Sequence, residues 1–265
     1  MAGNKIYKVD TAVIAAAGYG TRLLPLTLHQ PKAMVPVAGR PLIHYVIDQI
    51  AVTGVQKFII VTNPAFKQIG RYIADQKRQG NWKNLQFKVI EKKSKSFADS
   101  ILAAEKFIGG KYFIAAACDD LLSDRPAPFK SFIRVFQRYR APMMILREIT
   151  KKEIPNYGCV AASGIAKDVW QIHDIVEKPA VNEAPSSFGA IADYVLPPDI
   201  FRWIRLAQKN MPKDKEINIT HVLKLYARNG RPLFGWVFRG RHFDGGSKIG
   251  LAKASAYFKT RSKLI

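Results

Sequence analysis

The stretch Thr11 to Gly39, TAVIAAAGYGTRLLPLTLHQPKAMVPVAG, decides the fold. Residues 12–17 are apolar throughout and, with Thr11, read as a buried strand. A glycine-containing loop follows and ends in Arg22. Gly18 and Gly20 let the backbone bend sharply and come close to a ligand without a Cβ in the way. Successive N–H groups in such a turn form an anion-binding concavity. Arg22, and ten positions later Lys32 in Pro31-Lys32-Ala33-Met34, add full positive charges. The combination suits a polyphosphate. The loop is not a Walker A loop, which needs GxxxxGK[ST]. Nor is it the dinucleotide GxGxxG, because Leu23 stands where the third glycine belongs.

Working outward from this strand and loop, apolar runs and helical stripes alternate. Pro41 opens a helix with the stripe Leu42, Ile43, Val46, Ile47 and Ile50, and Gly54 ends it. The pattern predicts strands over 57–62, 85–90, 111–117 and 143–147, with helices over 66–77, 99–107 and 129–139. Beyond residue 150 the loops are richer in Pro, Asn and Ser. Strands are expected there over 158–162, 169–177, 190–196 and 233–238, and helices over 198–208, 218–228 and about 248–259. Such alternation predicts an α/β fold, a Rossmann-like, mostly parallel mixed sheet flanked by helices on both faces. No internal repeat or low-complexity linker interrupts the chain, so a single domain over 1–265 is expected. In open α/β sheets ligands sit at the C-terminal ends of strands, where both the GYGTR loop and Asp119 fall.

At 265 residues the chain is long enough to bury a sizeable core, and 48% hydrophobic with 23% charged residues is a globular composition. No run is long enough for a membrane span, and MAGNKIYKVD has no apolar leader region. Cys118 and Cys159 have no metal or redox spacing, and the five histidines show no ligand spacing. The expected compartment is cytoplasmic, where both thiols stay reduced. Lys plus Arg is 42 against 20 for Asp plus Glu, a net charge of +22 that attracts anions in general. The basic run over 71–95 reads as a solvated face. Arg202 and Arg205 among Phe201, Trp203 and Ile204 read as an amphipathic helix rather than a nucleic-acid surface.

Further motifs recur in order: Cys118-Asp119-Asp120 at a strand end, Asn156-Tyr157-Gly158, Glu177-Lys178-Pro179 at another strand end, and Asp244 in HFDGGSK. With GYGTR and PKAM they resemble the sugar-nucleotide pyrophosphorylases, and within that nucleotidyltransferase family the bacterial UTP–glucose-1-phosphate uridylyltransferases. The resemblance spans roughly residues 10–258. It implies a nucleotide-binding half over about 10–150 and a sugar-binding half over about 151–265. It also implies condensation of a nucleoside triphosphate with a sugar 1-phosphate. Arg22, Lys32 and Lys178 would be catalytic. Ala16, Ala17, Gly18, Gly20, Thr21, Arg22 and Glu91 would bind the nucleotide. Gly158, Glu177, Lys178 and Ala192 would bind the sugar phosphate. Asp119 and Asp244 would hold Mg²⁺, while Asp120 reads as a turn cap. The partners implied are the two substrates, with no nucleic acid and no membrane span, and a homo-oligomer is compatible with the resemblance.

The chain also departs from that pattern. Where the family carries a Gln and a glycine-rich turn framing the base, this sequence has Glu91 and a glycine-free run, Lys92 to Ser100. Glutamate accepts from a pyrimidine N3–H but cannot donate to a ring carbonyl. Ala192 replaces a glycine near the sugar and Asp193 an arginine. The segment from Asp214 to Thr220 echoes the family's D-E-I-Q-L-T only loosely. These departures leave open a thymidylyltransferase-like or relaxed enzyme, and a non-catalytic relative of the same fold.

Overall fold

A computed structural model describes residues 7–124, 127–212 and 216–261. Asp214 and Lys215 of the echoed segment lie outside the described residues. The chain begins with strand β1 (Thr11–Ala16), a two-strand ribbon β2 (Pro36–Val37) and β3 (Arg40–Pro41), helix α1 (Leu42–Ala51) and β4 (Lys57–Thr62). Then follow α2 (Gln68–Arg78), β5 (Gln86–Glu91), α3 (Phe97–Ala103), β6 (Phe113–Ala117), β7 (Asp120–Ser123), α4 (Pro128–Tyr139) and β8 (Met143–Glu148). The second half adds β9 (Gly158–Ala166), β10 (Val169–Glu177), β11 (Phe188–Leu196), α5 (Ile200–Asn210), α6 (Ile219–Arg228), β12 (Phe234–Val237), β13 (Arg241–Asp244) and α7 (Lys248–Arg261).

The main sheet runs β5-β4-β1-β6-β11-β8-β12-β10-β9. Its first four strands pair in parallel, with Thr11 opposite Lys57 and Ala12 opposite Ile114. The rest is mixed: β11 is antiparallel to both β6 and β8, β12 is parallel to β8, and β10 with β9 closes the edge antiparallel. The sheet therefore draws strands from both halves of the sequence.

Side-chain alternation along β1 explains the two core layers. Ala12, Ile14 and Ala16 face a layer that holds Ile43 and Ile47 of α1, Ile69 of α2, and Phe129, Phe132 and Phe136 of α4. Val13 and Ala17 face the other layer, with Ile101 of α3, Ile204 of α5 and Val222 of α6. The α4 phenylalanines recur at i, i+3 and i+7 and are essentially fully buried, each stabilising by roughly 1.5–3 kcal/mol.

The small pair β7–β13 was not expected from the sequence. It runs antiparallel with Asp244 opposite Asp120, and the Gly245 N–H donates to Asp119 O at 2.9 Å. The expected helix over 198–208 instead starts at Ile200, past the two prolines. The helix expected over 99–107 starts earlier, at Phe97, and breaks into a single 3₁₀ turn after Ala103.

Candidate active site

The GYGTR loop is built by sterics that only glycine satisfies at one position. Gly20 has φ of +68°, and a Cβ there would lie 2.9 Å from Lys32 Cβ and 2.9 Å from Thr27 Cγ2. Thr27 Oγ1 donates to Gly20 O at 2.8 Å, which folds the loop back on Lys32. At Gly18, by contrast, a Cβ would meet nothing within 4 Å, so the backbone there borders open space. Ala16 and Ala17 are buried beneath the loop.

Lys32 and Asp119 form the centre. Lys32 Nζ donates to Asp119 Oδ2 at 2.6 Å, and both side chains are largely buried. Burial opposes the Lys32 charge, but Asp119 together with the neighbouring Cys118 and Asp120 outweighs it and holds the ammonium pKa above its ordinary value. Burial, aided by Asp120 and Asp244, pushes the Asp119 carboxyl up, while Lys32 pulls it down. The neighbouring Cys118 thiol is pushed up to about 12, chiefly by burial, which makes it unreactive.

Asp244 reaches this centre through the β7–β13 pair. A Cβ at Gly246 would fall 2.4 Å from Asp119 Oδ2, 3.0 Å from Asp244 Oδ1 and 2.9 Å from an Arg22 terminal nitrogen. One point is thus flanked by two carboxylates and a guanidinium, and only the missing side chain at 246 leaves it open. Arg22 lies 3.6 Å from Asp244 Oδ2. Two carboxylates bordering one gap are a donor set that fits a hard divalent cation, which takes one or two carboxylates and keeps several waters. Among the described residues no group of three or more His, Cys, Asp or Glu side chains converges in metal-binding geometry.

These residues line one cavity of about 880 Å³. Its wall includes Arg22, Lys32, Asp119, Lys178, Ala192 and Asp244 from the sequence reading. Arg147, Tyr157, Glu216, Asn218 and Lys253 join them, which the sequence reading did not assign. Lys178 sits in the left-handed region at φ +47°, a strained conformation for a non-glycine residue. Its N–H donates to Tyr157 O at 3.1 Å, tying the end of β10 to the start of β9. A separate cleft of about 430 Å³ between α1 and α2 holds Arg40, His44, Asp48, Tyr72 and Trp82. Its polar groups satisfy one another, with Tyr72 Oη 2.8 Å from His44 Nδ1 and Trp82 Nε1 donating to Asp48 at 2.7 Å.

Several expected roles do not match the geometry. Glu91 is not on the cavity wall; it ends edge strand β5 and is ion-paired with Lys67. The glycine-free run after it forms the capped start of α3, where Ser96 Oγ accepts from the Asp99 N–H at 3.2 Å. Ser96 and Phe97, not Glu91, face the cavity. Glu177 does not line it either: its two carboxylate oxygens accept from Asn218 Nδ2 at 3.2 Å and Thr220 Oγ1 at 2.6 Å. The room at Gly158 belongs to this contact, since a Cβ there would lie 2.9 Å from Thr220 Cγ2 and 3.1 Å from Glu177 Oε2. Ala192 lines the cavity, but its N–H donates to Asp120 Oδ2 at 3.2 Å.

Asp120 is more than a turn cap. It also accepts from His242 Nε2 at 2.8 Å; burial pushes its pKa up, but His242, Lys32 and the Ala192 N–H together outweigh burial and lower it. Beneath it lies Asp193, 1% exposed, with neither carboxylate oxygen hydrogen-bonded among the described residues. Burial, then the charges of Asp120 and Asp119, push its pKa well above the ordinary carboxyl value. The signal for this group was visible in the sequence as an acid inside the apolar run Ala192 to Leu196.

Residues 11–261 match the nucleotidyl transferase family. A protein of Methanocaldococcus jannaschii, provisionally named a UTP–glucose-1-phosphate uridylyltransferase, is 32% identical over 269 residues, covering 93% of this chain and 92% of its own. A UTP–glucose-1-phosphate uridylyltransferase of Bacillus subtilis is 27% identical, covering 94% and 89%. The crystal structure of a UDP-glucose pyrophosphorylase complexed with UDP-glucose superposes with a TM-score of 0.86 at 29% identity, over 96% of this chain and 100% of that one.

Proposed function

Because the chain belongs to the nucleotidyl transferase family, we propose that it joins UTP to glucose 1-phosphate, giving UDP-glucose and pyrophosphate. The observation that carries this reading is the convergence of Arg22, Lys32, Asp119, Lys178 and Asp244 on one cavity. The substrates are those named for its relatives.

A phosphate oxygen of the sugar 1-phosphate attacks the α-phosphorus of the triphosphate. The bond from that phosphorus to the bridging oxygen breaks, and pyrophosphate leaves with the electron pair. Two polyanions must be brought together, so charge neutralisation and positioning supply most of the rate. Lys32, held charged by Asp119, offers a fixed positive charge with almost no freedom to reorganise. Arg22, two-thirds exposed, can swing onto phosphate oxygens. Lys178 faces the sugar phosphate from the end of β10. Mg²⁺ between Asp119 and Asp244 would supply further positive charge to the phosphates.

A scan of pyrophosphate release across UTP, dTTP, CTP, ATP and GTP with several hexose 1-phosphates tests the reading. UTP with glucose 1-phosphate is expected to give the highest kcat/KM. Because Glu91 is held by Lys67 away from the cavity, dTTP should be accepted within about a hundredfold of UTP, roughly 2.7 kcal/mol. No turnover with any pair would favour a non-catalytic relative.

A further inference from the structure

Two cations on the cavity wall have no task in the reaction as described: Arg147, which is ion-paired with Glu153, and Lys253. Lys253 lies on α7, and Ile249 and Gly250, four and three residues before it, line the same cavity. That spacing puts all three on one helix face. Helical side chains lean toward the N-terminus, so the Lys253 ammonium leans back along α7 toward its first turn. The first turn follows directly on Gly246, whose Cβ position is 2.9 Å from an Arg22 terminal nitrogen. Lys253 is exposed and makes no hydrogen bond or ion pair among the described residues, unlike Lys32 with Asp119. It is therefore an uncommitted charge on the helix that follows Gly246, whose Cβ position borders the exposed Arg22 guanidinium.

Arg147 lies over the Tyr157 ring, and Tyr157 O accepts from the Lys178 N–H, so these two cations share the β9–β10 side of the cavity. Lys178 follows the end of β10, where the preceding Glu177 accepts from Asn218 Nδ2 at 3.2 Å. Arg22 and Lys253 stand at the α7 end. In-line displacement needs that division, because the attacking phosphate and the departing pyrophosphate lie on opposite sides of the α-phosphorus. Resting on the proposed pyrophosphorylase reading, we propose that Lys253 and Arg22 together form the subsite for the β- and γ-phosphates, and that Lys253 is a binding residue for the departing pyrophosphate. The triphosphate carries the same two phosphates into the site, so the pair also orients the leaving group before reaction.

Pyrophosphate binding to the whole chain, measured by calorimetry, tests this without depending on turnover. Lys253→Ala should weaken pyrophosphate binding at least tenfold and leave UDP-glucose binding within twofold. Lys253→Arg should restore most of the loss, because a fork can still pair with phosphate. In the reverse reaction the Lys253→Ala KM for pyrophosphate should rise by the same factor, with the KM for UDP-glucose unchanged. Pyrophosphate binding within twofold of wild type overturns the proposal, as does equal weakening of both ligands with an unchanged melting temperature. If the wild-type chain binds pyrophosphate in a Lys253-dependent way but turns over no nucleotide sugar, the subsite stands and the catalytic reading falls.

Discussion

Asp193 is the residue at which the chain accepts a cost near its own reaction centre. A carboxyl with both oxygens unpartnered and 1% exposure is stable only when protonated. Its folded-state pKa is raised, so the native state binds a proton that the unfolded chain has released. Stability is then full below the unfolded value near 3.8 and falls as pH rises toward the raised folded pKa. Asp193→Asn keeps the shape and removes the titration. We expect the variant to melt higher than wild type at pH 8, by about 1 kcal/mol or more, with the two converging near pH 4. Melting curves from pH 4 to 9 check this, and parallel pH profiles for the two proteins would contradict it.

At the scale of elements, the pair β7–β13 does what the main sheet cannot. Asp119 lies between β6 and β7 and Asp244 ends β13, and the β7–β13 register, Asp244 opposite Asp120, sets the Asp119 and Asp244 carboxylates around one gap. Gly246 keeps that gap open. Gly246→Ala places a methyl where Asp119 Oδ2 is 2.4 Å away, so the carboxylates must part. Turnover should fall by about two orders of magnitude, or ~2.7 kcal/mol, while the melting temperature stays within a few degrees because no core contact is lost. Wild-type kcat in this variant would show that the two acids need not converge. The long elements were legible because periodicity reports burial directly: β4 and β10 run over the expected residues. β7 and β13, four residues each, carry no period to read. Motif order located Arg22, Lys32, Asp119, Lys178 and Asp244. It could not show that Lys67 holds Glu91, or that Asn218 and Thr220 hold Glu177, because those contacts join segments far apart in sequence.

For the whole molecule, 42 basic against 20 acidic side chains give a net charge of +22, and the proposed substrates are polyanions. Such a field raises the local concentration of nucleotide and sugar phosphate and is screened within about 8 Å at physiological salt. Raising NaCl from about 50 to about 300 mM should raise the KM for UTP several-fold and leave kcat within about twofold, since the fixed Lys32–Asp119 contact is buried from the screening ions. Initial-rate series at both salt levels decide it, and a KM that ignores salt would mean the surface charge serves something other than substrate capture.

The pairing of Asp244 with the strand that follows Asp119 also has a consequence in time. Synthesis runs from the N-terminus, and domains gather structure as they emerge. A nascent chain that has delivered Lys178 to the ribosome exit already carries Arg22 and Lys32, the cations proposed to meet phosphate, and Asp119, one of the two proposed metal ligands. The second carboxylate and the α7 lysine come only with the final segment. On the proposed reading, the nascent chain presents its phosphate-binding cations first and gains the partner carboxylate only when β13 and α7 dock.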